Sequence, residues 1–395
     1  MGERVDVLIS GAGIVGGALA CALEAKGFSV ALVDVRDHFN PLPQDSQLSR
    51  RSFAISYGSF LKLKQWGIWD FLQSPPSPIE TIRVTQHQGG PGMTYKAIDL
   101  GYEALGFMVS NQDLSDAVLK ALQEKKSLTF FNPEKIASWK TSSAFVEVML
   151  EGGTHIHASL LIGAEGRHSP LREIAGSPVI QHTYHQTALV FTVKHSESHH
   201  NTAFEHFTSE GPLAFLPLGD RKSAVVWSLK KDIAEKIMSH PDLLLHALFQ
   251  HFGWGLGTFQ LTSEIQTYPL DLVLPLKTWG PRFALVGDAA HALHPVAGQG
   301  LNVGLRDVAA LISHLEEAHQ LGLDIGRETF LRQWATKRRF DQWSMACVTH
   351  GTVKLLGGSK ILRPIWEKGF WLIDNCLPLK RKFILHAMGL FSFPD

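Results

Sequence analysis

The sequence predicts a mixed α/β fold in which a Rossmann-like domain is interleaved with a mainly β domain and is followed by C-terminal helices. A strand–helix–strand pattern fills the first 34 residues, that rhythm is lost between about 181 and 275, and the chain after Gly300 has a largely helical pattern. The 395 residues are 45% hydrophobic and 19% charged, which is typical of a globular protein with a large buried core.

The first strand–helix–strand unit is the clearest element of the sequence. Val5–Ser10 is an apolar run that predicts a buried strand, and Phe28–Asp34 predicts a second one. Residues 11–27 between them predict a glycine-rich turn and a helix that ends near Gly27. This order places the glycine-rich turn at the N-terminus of the helix.

That turn carries Gly11, Gly13 and Gly16 in the spacing of a dinucleotide-binding fingerprint. The first glycine permits a tight turn, the second admits a pyrophosphate close to the backbone, and the third lets the helix pack on the strand. Asp34 ends the second strand, where a carboxylate accepts hydrogen bonds from ribose hydroxyls. The alternative is a glycine-rich helix start that serves packing alone.

The following segments alternate between helical and strand patterns. In order, the sequence predicts an amphipathic helix over 60–73, a break at Ser74–Pro78, a hairpin within Val84–Ile98, a helix over 112–125, and a strand, turn and strand over 145–166 that end in a glycine-rich loop. Residues 181–275 alternate strands with a single helix near Ile233–Phe252, and "HSESHH" (His195–His200) is interpreted as a solvated loop.

These patterns predict three regions. Residues 1–75, 96–180 and 276–350 form the Rossmann-like cofactor domain, residues 76–95 and 181–275 form the mainly β substrate domain, and residues 351–395 form a C-terminal helical region.

A second glycine-rich stretch, "GDAAHALHPVAGQGLN" (Gly287–Asn302), follows an apolar strand. An aspartate at that strand end, Asp288, can accept hydrogen bonds from a second sugar-like chain, such as the ribityl chain of a flavin. The N–H groups around Gly298, Gly300 and Asn302 can point a helix N-terminus at the N1/O2 edge of the flavin ring, where the helix dipole stabilises the anionic reduced ring.

Together, these motifs resemble those of the group A FAD-dependent aromatic monooxygenases, which share the para-hydroxybenzoate hydroxylase-like fold. The resemblance covers most of the chain and rests on the two glycine-rich stretches, "RRSFAISYGS" and "LIGAEGRHSPLR". The segment "AFEHFTSEGPLAFLPL" (Ala203–Leu218) resembles the ubiquinone-biosynthesis branch, the 2-polyprenyl-6-methoxyphenol hydroxylase-like enzymes.

The resemblance implies roles for a set of positions. Asp288 would bind the ribityl chain, Arg51 would lie near the flavin and pyrophosphate, and Asn111 would contact the cofactor. The full set of expected cofactor-binding residues is Gly11, Gly13, Gly16, Asp34, Arg51, Asn111, Gly166, Asp288, Pro295, Gly298, Gly300, Leu301 and Asn302.

The resemblance also implies FAD as the bound cofactor, NAD(P)H as its reductant and O₂ as co-substrate. A polyprenyl phenol would be hydroxylated on its ring through a C4a-hydroperoxyflavin, so the cofactor carries the difficult chemistry. No catalytic side chain is assigned. His291 is the one acid–base candidate, with a packing or capping histidine as the alternative. His291 and His294 have no third ligand nearby, so no metal site is predicted.

The sequence departs from the family pattern at two positions. Glu165 stands where the middle motif usually has Asp, so its partners are expected to be water-bridged, and Ser49 stands where the branch is usually acidic. These departures leave open an electron donor other than free NAD(P)H, and a different aromatic substrate. The other functional alternatives are a flavin-dependent reductase or dehydrogenase of the same fold and a non-catalytic scaffold.

The expected partners follow from charge and patterning. A formal net charge of zero gives no support for a nucleic-acid partner. Three widely spaced cysteines indicate reduced thiols in the cytoplasm. The aromatic and basic residues of 360–393 predict either a helical cap on the core or a peripheral contact with the inner membrane, and a ubiquinone-biosynthesis protein complex is a further expected partner.

Overall fold

The computed structural model describes residues 3–37, 51–85, 92–208, 210–293, 298–356 and 376–390. In chain order the strands are β1 (Glu3–Ser10), β2 (Val30–Val33), β3 (Ser52–Ser56), β4 (Ser77–Ile79), β5 (Thr81–Thr85), β6 (Met93–Lys96), β7 (Gly106–Ser110), β8 (Leu128–Phe131), β9 (Ile136–Thr141), β10 (Val146–Leu150), β11 (His155–Gly163), β12 (Val179–His195), β13 (Thr202–Phe207), β14 (Pro212–Pro217), β15 (Lys222–Lys230), β16 (Phe259–Leu261), β17 (Gln266–Pro275), β18 (Trp279–Gly280) and β19 (Phe283–Leu285).

The helices are α1 (Ile14–Glu24), α2 (Tyr57–Gln65), α3 (Asn111–Gln123), α4 (Pro170–Ile174), α5 (Lys231–Ser239), α6 (Pro241–Leu256), α7 (Gln299–Gln320), α8 (Glu328–Leu356) and α9 (Leu377–Ala387). Short 3-10 helices span Trp69–Phe71, Ile98–Leu100 and Gly287–Ala289.

The first sheet has a parallel centre in the order β19-β11-β1-β2-β8. Parallel strands are covered on both faces and are therefore apolar along their length. Accordingly, Val7, Leu8 and Ile9 of β1 are fully buried. Residues of α1, α3 and α7 join Val7 and Ile9 in the largest apolar cluster, while Leu8 packs in a second cluster with residues of β10.

The second sheet runs in the order β17-β12-β15-β14-β13-β5-β6, and all of its pairs are antiparallel except β13 with β5. Alternate residues of its strands point to α5 and α6, where the Phe215 ring packs at a tilt against Phe252 of α6, with 4.4 Å between the ring centroids. The opposite face of this sheet meets a small sheet of order β3-β7-β4. There Ala54 and Met108 pack against Ala203 and Ala224.

The mixed α/β fold predicted from the sequence is confirmed, including the first strand–helix–strand unit and the β5–β6 hairpin. Three local predictions were wrong. The amphipathic helix ends at Gln65, because Gly67 takes a left-handed conformation with φ of 71°. The helix expected over 233–252 is two helices, because His240 leaves helical geometry ahead of Pro241.

The third local error concerns two histidines of the segment 195–200. His195 and His199 are 2% and 3% exposed and are therefore buried, whereas Ser196, Glu197 and His200 are exposed in a loop, as predicted. His195 lies at the end of β12, and its ring nitrogens contact the Glu197 carbonyl at 2.6 Å and the Ser223 hydroxyl at 3.0 Å. Burial lowers the pKa of both rings, in spite of hydrogen bonds to backbone carbonyls that act in the opposite direction.

Within the described ranges, no helix combines the length and the apolar character that a bilayer crossing needs.

The close packing between the end of β1 and the start of α1 predicts that one methyl group added at Gly16 lowers stability. A Cβ added at Gly16 would lie 1.9 Å from the Gly11 carbonyl oxygen and 3.1 Å from the Ala164 Cβ. Since that backbone cannot move aside cheaply, Gly16→Ala should lower the free energy of unfolding by about 2 kcal/mol. Urea unfolding measures the change.

Gly255→Ala is the matched control within α6, because no atom of the described residues lies within 4 Å of its added Cβ. It should raise stability by up to about 1 kcal/mol through helix propensity. A Gly16→Ala protein as stable as the wild type would contradict the close approach of strand and helix.

Candidate active site

The first half of the candidate site is the turn between β1 and α1. Gly11 has φ of 104°, and a side chain there would strike the Ala164 carbonyl at 2.5 Å. Among the described residues other than its chain neighbours, the only atom within 4 Å of a Cβ added at Gly13 is Nη2 of Arg36, at 3.9 Å. Gly13 is the N-cap of α1 and offers no side-chain cap to it. Within the described part of the chain, the N–H groups of the first turn therefore lack a side-chain cap, which suits an anionic group.

Asp34 follows β2 and sits beside this turn. One carboxylate oxygen accepts from the Ala12 N–H at 2.6 Å, and the other accepts from the Arg36 N–H at 2.8 Å. The Arg36 guanidinium, whose side chain is about half exposed, lies 3.3 Å from the same carboxylate. Asp34 thus fixes the glycine turn. Arg36 was not identified from the sequence. The signal available there was a basic residue two positions after the aspartate that ends a strand.

The second half of the site is built from the 3-10 helix Gly287–Ala289 and the start of α7. Gly298 is the N-cap of α7 with φ of 61°, and it too offers no side-chain cap. The Asp288 carboxylate is partly exposed and has no hydrogen-bond partner among the described residues. Its Oδ1 lies 3.9 Å from the place that a Cβ on Gly300 would occupy. An unpaired carboxylate therefore stands next to an uncapped helix N-terminus.

The two halves meet through Val15 of α1. A Cβ on Gly287 or on Gly304 would each lie 3.1 Å from a Val15 methyl group. Side chains at either glycine would push α1 away from α7, so both glycines let the two helix starts share one site.

Asn302 attaches α7 to β3. Its Oδ1 accepts from the Ser56 N–H at 2.9 Å, and its Nδ2 donates to the carbonyls of Ala54 at 2.9 Å and Gly298 at 3.3 Å. The side chain is 1% exposed. Asn302 therefore holds the turn before α7 against the small sheet.

Arg51 and Asn111 come together at the end of the β3–β7 pair. The Asn111 N–H donates to the Arg51 carbonyl at 2.7 Å. The Arg51 guanidinium lies 3.4 Å from the ring centroid of Tyr268 on β17, and its Nε is buried without a hydrogen-bond partner among the described residues. An unsatisfied buried donor of this kind fits a polar ligand at this position. Tyr268 was not predicted, since its partner lies more than 200 residues away in sequence.

The loop after β11 supplies the third group of predicted residues. Gly166 has φ of 79° and open space around it. Glu165 accepts directly from the Ser10 hydroxyl at 2.6 Å, the Ser169 hydroxyl at 2.7 Å and the Leu171 N–H at 2.9 Å. The expectation of water-bridged partners for Glu165 was therefore wrong: the longer side chain reaches β1 and α4 by itself.

His291 belongs to a buried charge cluster. Its Nε2 lies 2.5 Å from Oδ2 of Asp307, and both side chains are 0% exposed. Asp307 also accepts from the Gly287 N–H at 3.2 Å, from Arg338 Nε at 2.8 Å and from Gln342 Nε2 at 3.0 Å. Burial opposes the charged form of Asp307, but His291 and Arg338 outweigh it and hold the pKa of Asp307 well below its ordinary value. These contacts give His291 a packing and pairing role.

The residues present fit a dinucleotide with two sugar-like parts. Two uncapped helix starts, two strand-end aspartates and a buried unsatisfied arginine converge within one region. Leu301 lies in the first turn of α7, partly buried against the largest apolar cluster. Pro295 and His294 lie outside the described residues.

Comparison with known families agrees with this fit. The model of the family described as "FAD binding domain" matches residues 4–345 of the chain.

Two relatives are similar over nearly the whole chain. Ubiquinone hydroxylase UbiL of Rhodospirillum rubrum is 37% identical over 388 residues, covering 97% of this chain and 89% of the relative. The 3-demethoxyubiquinol 3-hydroxylase of Escherichia coli is 33% identical, covering 98% and 99%. Among solved structures, the probable FAD-dependent monooxygenase PqsL of Pseudomonas aeruginosa has the same fold, with a TM-score of 0.78, 19% identity, and coverage of 92% of this chain and all of that one.

The buried cluster predicts that exchanging one carboxylate oxygen of Asp307 for an amide nitrogen has a large effect on stability. Asp307→Asn removes the negative charge that compensates Arg338, so the free energy of unfolding at neutral pH should fall by about 3 kcal/mol. Because the pKa of Asp307 is lowered, its contribution is present above the ordinary Asp value and is lost as the pH falls below it. The difference from wild type should therefore shrink only below pH 3.8.

Urea titrations of both proteins across this pH range test the expectation. Asp220→Asn, at a side chain that is 74% exposed, is the control and should change stability by less than about 0.5 kcal/mol. Equal stability of wild type and Asp307→Asn at neutral pH would refute the role given to the cluster.

Proposed function

This chain belongs to the FAD-binding-domain family and is an FAD-dependent monooxygenase, and from that premise we propose that it hydroxylates the aromatic ring of a polyprenyl phenol in ubiquinone biosynthesis. The observation that carries the substrate is the likeness to UbiL and to the 3-demethoxyubiquinol 3-hydroxylase over nearly the full chain. The mainly apolar face of the second sheet, opposite α5 and α6, supports a hydrophobic aromatic substrate.

We place the cofactor along the site from α1 to α7. Gly11, Gly13, Gly16 and the free N–H groups of α1 would hold the pyrophosphate, and Asp34 the adenosine ribose. Asp288 would accept from the ribityl hydroxyls, since its carboxylate has no partner among the described residues. When bound and reduced by NAD(P)H, FAD supplies the activation of O₂ that inserts one oxygen atom into the substrate ring.

The remaining predicted residues surround the flavin ring in this proposal. The N-terminus of α7, from Gly298 through Gly300 and Leu301 to Asn302, would point its dipole at the ring and stabilise negative charge there. Arg51 would donate from its unsatisfied Nε to the cofactor, with Asn111 and Gly166 beside it. The protein's part is then to bind, orient and exclude water, and none of these steps requires His291.

The division into regions supports this arrangement. We propose that residues 1–75, 96–180 and 276–350 hold the cofactor and that residues 76–95 and 181–275 hold the substrate. In the C-terminal region, α9 exposes Leu379 and Phe383 beside Lys380, Arg381 and Lys382, which suits a peripheral contact with an anionic membrane. Residues 360–375 and 391–393 of the predicted contact lie outside the described residues.

Removing the Asp288 carboxylate tests the cofactor placement. Asp288→Ala should purify with much less FAD and raise the dissociation constant for added FAD about tenfold or more, because a charged acceptor for ribityl hydroxyls is lost. Flavin fluorescence titration of the apoprotein measures this constant. Asp220→Ala is the control, and full FAD occupancy in Asp288→Ala would remove Asp288 from the ribityl site.

Isotopic oxygen tests the reaction class. With NADPH, ¹⁸O₂ and 2-prenylphenol as a soluble substrate, one ¹⁸O atom should enter the product ring while the second leaves as water. Mass spectrometry of the product reads the label, and the same reaction in H₂¹⁸O under ordinary O₂ is the control. Oxidation of NADPH with a reduced, unlabelled product would favour the flavin-dependent reductase instead.

A further inference from the structure

Glu205 lies on the face of the second sheet that looks away from α5 and α6. Along β13, Phe204 and His206 point to α6. Their ring centroids lie 5.7 Å and 5.5 Å from that of Phe252. Alternation along a strand places Ala203, Glu205 and Phe207 on the other face. Ala203 packs there against Ala54 and Met108 of the small sheet. Glu205 therefore faces the side of the sheet that carries the candidate active site.

The residues beside Glu205 form a trough across the sheet. Register pairs Glu205 with Ala214, Ala214 with Val226, Val226 with Val190, and Val190 with Gln266. Paired residues share a face, so these five side chains make one row, about 19 Å long over four strand spacings. Glu205, Val226 and Val190 keep partial exposure.

Most neighbours of these three residues on the same face are buried. Ala203 and Ala224 are buried in the row toward the small sheet, where Leu216 and Thr192 keep partial exposure, and Phe207, Ser228 and Ala188 are buried in the row beyond. The partial exposure of Glu205, Val226 and Val190 leaves a surface that a flat ring with an apolar body can cover. Its lining is apolar apart from the two ends, Glu205 and Gln266.

The trough adjoins the candidate site at two places, at its Gln266 end and beside Ala54 of the small sheet. Gln266 accepts a hydrogen bond from the Tyr268 hydroxyl at 2.6 Å, and the Arg51 guanidinium lies over the Tyr268 ring. A Cβ on Gly298 would lie 3.4 Å from Ala54, which packs on the same sheet face. The flavin ring placed at Gly298–Asn302 in the proposed function would thus border the trough.

The Glu205 carboxylate has no hydrogen bond or ion pair among the described residues. Its flanking side chains on the same face, Val84 of β5 and Ala214 of β14, do not titrate. Burial raises the pKa of Glu205 to about 7. The elements around the trough bring five other charged or titratable side chains. Arg51 and Tyr268 contact each other, Tyr184 packs in one cluster with Phe207 and Val84, and Lys380 of α9 lies over the Tyr95 ring at 5.4 Å.

We propose that Glu205 is the residue that binds the phenolic hydroxyl of the substrate and accepts its proton, a proposal that rests on the proposed function. In this step the phenol O–H bond breaks, the proton passes to a Glu205 oxygen, and the electron pair stays on the phenolate oxygen. Nothing is oxidised or reduced. The added electron density on the ring carbons ortho and para to the oxygen favours attack on an electrophilic oxygen donor.

Binding to the oxidised, FAD-loaded enzyme without NADPH tests the proposal apart from turnover. Two ligands are titrated by flavin absorbance change: 2-prenylphenol and its methyl ether, 2-prenylanisole, which has no hydroxyl proton. The wild type should bind the phenol about tenfold more tightly than the ether at pH 8, since a hydrogen bond to a charged acceptor is lost in the ether. Glu205→Gln should bind the phenol about tenfold less tightly and the ether equally.

The pH dependence and a control variant sharpen this test. The wild-type preference for the phenol should grow as the pH rises through about 7, where the carboxylate forms, and Glu205→Gln should show no such rise. Glu235→Gln, on α5 at the other face of the sheet with a side chain 68% exposed, should match the wild type throughout.

Thermal unfolding checks that the same carboxyl carries the raised pKa. Because the folded protein holds Glu205 protonated more tightly than the unfolded chain does, the wild type should lose stability relative to Glu205→Gln as the pH rises from 4.5 to about 7. Glu205→Gln removes an unpaired charge and is therefore expected to fold.

The outcomes separate the two proposals. If the wild type binds the phenol and Glu205→Gln binds it as tightly with the same pH profile, the role of Glu205 is wrong and the proposed function stands. If neither ligand perturbs the flavin of the wild type, the phenol substrate class fails, and the role of Glu205 fails with it.

Discussion

The arrangement of the site depends on one buried carboxylate, that of Asp307. It accepts from four donors, the Gly287 N–H, His291, Arg338 and Gln342, and it is shielded completely from water. An isolated charge at this depth would cost several kcal/mol, and its compensation requires all of these donors at once. Since the donors come from the 3-10 helix Gly287–Ala289, the chain just after it and α8, satisfying Asp307 fixes these elements against α7. The position of Asp288 beside the start of α7 follows from that requirement.

Much of the fold and part of the site were predictable because their signals are local. The glycine turn, the strands around it and the strand-end Asp34 lie within 34 residues, and a side chain at Gly16 would strike the carbonyl of Gly11 in the same turn. The pairing of Asp307 with Arg338, or of Arg51 with Tyr268, joins residues far apart in sequence. No hydrophobic periodicity of the sequence predicts such pairs. Glu165 and the buried His195 were misjudged in part for the same reason, since each has one partner on another strand, Ser10 for Glu165 and Ser223 for His195.

Asp307 and Glu205 show how surroundings assign different tasks to the same functional group. Both lose hydration, which by itself raises the pKa of a carboxyl group. For Asp307, His291 and Arg338 reverse that effect, so the group stays charged and serves the architecture. For Glu205 nothing reverses it, and the pKa rises to about 7. An unpaired, destabilising carboxyl in a trough is difficult to explain by packing, and such local costs concentrate at binding sites.

The division of labour between the two sheets explains why the substrate was harder to infer than the cofactor. A dinucleotide is held by backbone N–H groups and strand-end carboxylates, whose geometry glycines and turns impose on the sequence. A phenol with a long apolar tail offers one hydroxyl and otherwise only surface. Valine and alanine side chains across a sheet are enough to bind that apolar surface, and they form no recognisable motif in the sequence. Polar residues among them, Glu205 above all, are then the positions at which the sequence of the second sheet can specify how the ring is oriented.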